Sequence, residues 1–256
     1  MNAVAIHSLT DDKEALGGKL AEALGVTPYE ALSRLRIPGN GPLVVAVFAD
    51  VDDAAGLVEK LRAAGFRTAL LSAREIAAEA ERSPVRRFDL GDERLHCELL
   101  QGGGLDVSYG EIRVILRGTR IALSTSTETV KNRSFSPGRA IISGGLMLSK
   151  TTKTVRETTD QKREGFFVLY AADGHGITFN ETGLVYDSLG PARKPTSAAN
   201  FSYVIDELRR RCESAVYDER LLRRAAQAAL LGPRLGPEDN LSVATYLLAK
   251  VLRGSA

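Results

Sequence analysis

Three aspartates within one turn, Asp50, Asp52 and Asp53, come nearest to carrying chemistry by type and spacing. They follow the valine-rich apolar run Leu43 to Phe48, so they stand where a buried strand would end and a helix begin. Carboxylates placed this way could hold magnesium, or one could attack phosphorus while the next handles the proton. The same residues also suit a plain helix start, with Asp50 as the cap and Asp52 and Asp53 beside the positive end of the dipole. Other reactive types are scattered. His7, His96 and His175 have no partner at a metal-ligand spacing and read as surface or turn residues. Cys97 and Cys212 form no Cys-x-x-Cys pair, which excludes a thiolate zinc site and suits a reducing compartment. A nucleophile elbow, Gly-x-Ser-x-Gly, does not occur. No metal or cofactor is expected.

Two phrases resemble known phosphate-handling motifs. Val44-Val45-Ala46-Val47-Phe48-Ala49-Asp50-Val51-Asp52 resembles the first motif of the haloacid-dehalogenase-like phosphotransferases, and Leu61 to Ser72 resembles the next. That resemblance implies a nucleophilic Asp50, a proton-handling Asp52 and magnesium on the carboxylates. Against it, Asp53-Ala54 stands where the family has Gly-Thr, and no later lysine and paired-aspartate motif follows. Gly144-Gly145-Leu146-Met147-Leu148-Ser149-Lys150-Thr151 is one residue from a phosphate-binding P-loop. Such a loop needs glycine directly before the lysine, so that backbone amides can wrap the phosphates; here Ser149 takes that place.

Cations cluster where the reactive groups do not. From Ser124 to Asp160, 14 of 37 residues are Ser or Thr and apolar periodicity is slight, which reads as a polar insertion. From Glu128 to Glu164, eight Lys or Arg stand against four acids, a local +4 in a chain whose total is +2. Lys131, Arg133, Arg139, Lys150, Lys153 and Arg156 are therefore the candidate binding residues. They suit an acidic protein surface or the phosphates of anionic lipid or nucleic acid. Phe135 is the one aromatic among them, which disfavours single-stranded nucleic acid, since that needs stacking platforms.

The whole chain is ordinary in composition: 256 residues, 44% hydrophobic and 26% charged, enough to bury a sizeable core. Near-neutral charge gives no global field that would select nucleic acid or membrane. No basic, apolar leader opens it, and the longest uncharged apolar stretches, 140–149 and 241–249, are too short to span a bilayer. A cytoplasmic location follows as the expectation.

The pattern of elements predicts an α+β fold in three segments. Residues 1–82 form a helix-rich β-α-β module. Leu16, Leu20 and Leu24 mark one helix, Thr27-Pro28-Tyr29-Glu30 caps a second, and strands at Leu43–Phe48 and Thr68–Leu71 flank a third. From 83 to 213 the period changes to two and short strands suggest a mostly antiparallel β domain, closed by a helix from about Ser197 to Arg211. Asp173-Gly174-His175-Gly176 marks a hairpin turn, Leu184 to Tyr186 a further strand, and about 124–163 the polar insertion. Residues 214–256 read as two helices, roughly Asp218 to Leu231 and Pro237 to Leu252.

The order of elements from Arg86 to Arg211, with the phrase Val107-Ser108-Tyr109-Gly110-Glu111-Ile112, loosely resembles bacterial pleckstrin-homology-like domains over about half the chain. That resemblance implies a binding module with no catalysis. The expected function is accordingly a non-catalytic cytosolic interaction or regulatory module, using the β domain and its basic insertion. Its partner is expected to be a protein, with anionic lipid or nucleic acid as alternatives, and the C-terminal helices offer a homodimer face. The competing expectation is a phosphate- or nucleotide-binding enzyme using Asp50 and Asp52 or Lys150.

Overall fold

The computed structural model describes residues 1–10, 12–36, 40–135 and 149–254, and within 122–162 the course of the strands alone. Helices and largely antiparallel strands make an α+β fold. Two compact units divide the chain: Met1–Arg120 with Glu164–Ala256, and Ile121–Arg163.

The larger unit opens with a three-stranded sheet ordered β2-β1-β3, built from β1 (Asn2–His7), β2 (Leu43–Phe48) and β3 (Arg67–Leu71). β1 is antiparallel to both neighbours, so β2 and β3 run the same way but are parted by it. Helix α3 (Val51–Ala63) makes the crossover between them, while α1 (Lys13–Leu24) and α2 (Pro28–Leu35) fill the β1–β2 connection. The sequence gives little warning of β1. Ala3 and Ala5 enter one core cluster and Val4 and Ile6 another, so a strand buried on both faces leaves no polar alternation to detect. Thr27 caps α2 as its spacing predicts, its hydroxyl accepting the Glu30 N–H at 3.2 Å. A further helix, α4 (Ala73–Ala80), starts on a reciprocal capping box between Ser72 and Glu75 that the sequence reading passed over.

A seven-stranded sheet follows, ordered β10-β7-β8-β9-β4-β5-β6. Its members are β4 (Val85–Leu90), β5 (Arg94–Leu99), β6 (Gly104–Ser108), β7 (Ile112–Phe135), β8 (Ser149–Ala171), β9 (Gly176–Asn180) and β10 (Val216–Asp218). β4, β5 and β6 pair antiparallel, as do β8 and β9 across the expected turn at Asp173–His175, where Gly174 has φ +90°. Leu184 to Tyr186 supplies a single bridge, Val185 to Arg87, in place of the expected strand.

Three helices complete the unit: α5 (Ser197–Arg211), α6 (Arg224–Leu231) and α7 (Pro237–Arg253). The helix expected from Asp218 begins only at Arg224. Val216–Asp218 instead runs parallel to β7, and the Asp218 carboxylate accepts the Arg220 N–H at 2.9 Å and turns the chain into a 3-10 segment. β8 explains how the layers meet. Phe167 and Leu169 enter a core shared with α5, whereas Phe166, Val168 and Tyr170 enter one shared with α6 and α7. The second cluster joins Ala3, Ala5 and Leu71 to Val114 and Leu116 and to Leu221, Leu230, Val243 and Leu247. Residues of all three segments expected from sequence therefore share it. Leu230 and Leu231 of α6 and Val243 and Leu247 of α7 are buried in it. Among the described residues, no helix is long and apolar enough to cross a membrane.

Candidate functional site: a basic two-stranded ribbon

The stretch read as a polar insertion is, where described, the continuation of β7 and β8. Ser124-Thr125-Ser126-Thr127-Glu128-Thr129-Val130 and Thr151-Thr152-Lys153-Thr154-Val155 are rich in β-branched residues, which suit extended backbone. Polar residues occupy both parities of these strands, so the sequence carries no apolar alternation and reads as a loop. Lys131 and Arg133 fall on β7, and Lys150, Lys153 and Arg156 on β8; Arg139 lies outside the described residues, as does 140–148. Lys150 sits at the start of a strand, whereas a P-loop lysine opens a helix.

The smaller unit, Ile121–Arg163, holds eight Lys or Arg against three acids, a charge of +5. The chain total of +2 leaves −3 elsewhere, and residues 1–82, with nine cations and 12 acids, carry all of it. β10 pairs with β7 only at 114–116, and β9 pairs with β8 only at 166–170. Among the described residues, no other strand covers the outer edges of the ribbon.

Where the ribbon leaves the larger unit, an ion pair joins its two strands. Arg120 donates to Glu164 from Nε at 2.8 Å and approaches it with Nη2 at 2.7 Å, on a carboxylate that is almost fully buried. Thr182 donates to the other oxygen from its N–H at 3.2 Å and from its hydroxyl. Burial alone would raise the Glu164 carboxyl, but the bonds from Thr182 and Arg120 outweigh it and hold the group below its ordinary range. Gly118 faces Phe166 so closely that a methyl group there would strike the ring and Leu221.

The aspartates at the end of β2 are built into the helix start. Asp50 Oδ1 accepts the Asp52 N–H at 2.6 Å and caps α3, while Asp52 and Asp53 are exposed in the first turn. Among the described residues, no group of three or more His, Cys, Asp and Glu could hold a metal ion. His96 Nδ1 lies 2.6 Å from Asp106 in an exposed cross-strand pair, and the backbone N–H of His175 donates to Asp173 in the hairpin turn. Burial pushes both the Cys97 and Cys212 thiols up to about 12, which removes them as nucleophiles.

A polar network that sequence reasoning missed ties α7 to α4 and β8. Glu75 accepts from Tyr246 and Lys250, both at 2.8 Å, and from the backbone and hydroxyl of Ser72. One turn on, buried Glu79 accepts from the Tyr170 hydroxyl at 2.6 Å, and Arg82 and Arg253 lie over the Tyr170 ring at 5.3 and 5.6 Å. Arg82 Nη1 stands 2.7 Å from Glu79 Oε2 as a charge contact without hydrogen-bond alignment. Partners up to 175 residues apart in the chain meet here, and their charges are spent on one another.

The two carboxylates respond to pH in opposite senses. Burial works to raise Glu75, but hydrogen bonds from Lys250, Ser72 and Tyr246 hold it at about 2. A depressed carboxyl stabilises the fold above its ordinary value of 4.5 and loses that contribution as pH falls toward about 2. Burial raises Glu79, which therefore weakens the fold as pH rises and it must ionise. Lys250→Met removes the chief partner of Glu75 and leaves Glu79 in place. The stability gap between this variant and the parent should be widest above pH 4.5 and close toward pH 2, measured by denaturant titration at each pH. A gap independent of pH would contradict the assignment.

A cleft of about 500 Å³ opens between α2 and the end of α6, lined by Tyr29, Ser33, Arg34, Leu43, Ala229 and Pro233 among others. Its size is that of a small-molecule site. Arg34 is nevertheless committed, donating to the Val45 carbonyl at 2.9 Å and to Glu30 at 2.6 Å. Of its remaining polar groups, Tyr29 and Ser33 line the wall, and the buried Nε of Arg34 has no hydrogen-bond partner. No protein-family model, curated protein or solved structure matches the chain.

Proposed function

We propose that this chain is a non-catalytic interaction module of the cytoplasm, and that the ribbon of β7 and β8 is its contact element for an acidic protein surface. The observation that carries this reading is the ribbon itself: two strands bearing +4 in a unit of +5, with no further described strand on either outer edge. A two-stranded ribbon alone is marginally stable in water and gains by being covered. Lysine and arginine in its two strands guard against indiscriminate strand pairing and leave opposite charge as the selecting property. On this reading the β4–β6 strands, packed against α5, are a second surface of the module. Two free, buried thiols fit a reducing location.

The test replaces Ile121–Arg163 with an Asn-Gly turn joining Arg120 to Glu164, a junction the ion pair between them already favours. Crosslinked capture from the native host should return a partner with the intact chain and lose it with this variant, and also with Lys150→Glu/Lys153→Glu/Arg156→Glu. Equal capture by all three chains would sink the reading. Retention of the intact chain on heparin or anionic vesicles with no protein captured would replace the acidic protein by a phosphate-bearing surface.

A further inference from the structure

Resting on the ribbon as a contact element, we infer that its occupant is a second copy of this chain. The smaller unit and residues 1–82 carry opposite charge, +5 against −3, while residues 83–120 and 164–256 are each neutral. Complementarity of this kind steers association and selects partners. Ribbon-to-ribbon pairing would bring two strand pairs of +4 together, and like charges directly opposite are destabilising. A direct pairing of ribbons is therefore disfavoured, and the contact sets the ribbon of one copy against the N-terminal segment of the other. Two copies that make this contact reciprocally close as a dimer; where they do not, each keeps one ribbon and one acidic segment to offer and the assembly closes into a larger ring or extends as a filament.

Sedimentation velocity of the intact chain, over a wide range of concentration at low and high salt, reads this directly. At low salt the mass should rise with concentration through multiples of 27.5 kDa, and high salt should return the monomer by screening the contact. Two charge-swapped chains sharpen the test. Lys150→Glu/Lys153→Glu/Arg156→Glu reverses the ribbon. Glu14→Lys/Glu22→Lys/Asp52→Lys/Asp53→Lys reverses exposed acids of the N-terminal segment and spares the Asp50 cap. Each variant alone should associate roughly tenfold or more weakly than the parent, and an equimolar mixture should associate again because each now complements the other. Thermal melts of both confirm that they fold. A monomer at every concentration and salt, or association untouched by ribbon reversal, overturns the inference. If the intact chain is monomeric yet still captures a ribbon-dependent partner, the contact reading stands and only the second copy falls. Failure of both experiments removes both.

Discussion

Replacing Phe167 by alanine should cost about 3–5 kcal/mol, the largest loss expected from any single side chain considered. Phe167 is fully buried near the C-terminal end of β8, stacked on Phe179 with ring centroids 4.3 Å apart and tilted against Phe201 at 5.1 Å. Those contacts bind the second sheet to α5. Truncation would remove the transfer free energy of a phenyl ring and leave a cavity that two further rings cannot collapse to fill. For a chain of this size the loss corresponds to a fall of roughly 6–20 °C in melting temperature. Phe167→Leu keeps much of the volume and should cost about 1–2 kcal/mol. Equal melting temperatures for the parent and Phe167→Ala would mean that β8 is not the shared wall of the two cores.

Gly232→Ala should be the second large effect, about 2–4 kcal/mol. Gly232 ends α6 with φ +68° and ψ −174°, a conformation that side chains rarely adopt. A methyl group there would also drive into the Val44 carbonyl oxygen of β2, so backbone strain and overpacking add. Gly56 supplies the control. It lies within α3 with open space around its Cα, so Gly56→Ala should stabilise by about 0.5–1 kcal/mol through helix propensity. Chemical denaturation of the pair should give shifts of opposite sign. Two shifts of the same sign would contradict the placement of α6 against β2.

These two positions also show which parts of the fold can be read from sequence. The run Phe166 to Ala171 is legible as a strand because it is apolar throughout, and the structure supplies the reason: alternate residues face different cores. Thr27-Pro28 and Asp50 are legible as helix starts because capping is local chemistry. Gly232 is not legible, since the carbonyl that forbids a side chain belongs to a strand nearly 190 residues earlier. The Glu75–Lys250 and Glu79–Tyr170 bonds are hidden in the same way, joining residues 175 and 91 apart. α4 was within reach, because Ser72 and Glu75 stand at capping-box spacing, but its eight residues show only a short apolar face.

The candidate site was half legible. Its composition announced a basic Ser/Thr-rich stretch, and Lys131, Arg133, Lys150, Lys153 and Arg156 do lie on two strands that neighbour each other in one sheet. Its conformation was not announced, because strand recognition rests on one apolar face and this ribbon has polar residues on both. Threonine carried the signal that could have found it, through β-branching in place of hydrophobicity. The aspartates that looked most chemical in sequence turned out to include a helix cap.

Lysine-directed crosslinking in the native host, followed by mapping of the linked residues, tests the contact element most directly. Four of the nine lysines, Lys131, Lys150, Lys153 and Lys162, belong to the ribbon, so the reagent can separate it from the larger unit. Intermolecular links should concentrate on Lys131, Lys150 and Lys153, and should vanish when the host cells are permeabilised into high salt before the reagent is added. Links confined to Lys13, Lys19, Lys60 and Lys194, with the ribbon lysines carrying only unlinked reagent, would place the contact on the larger unit and contradict the role assigned to the ribbon.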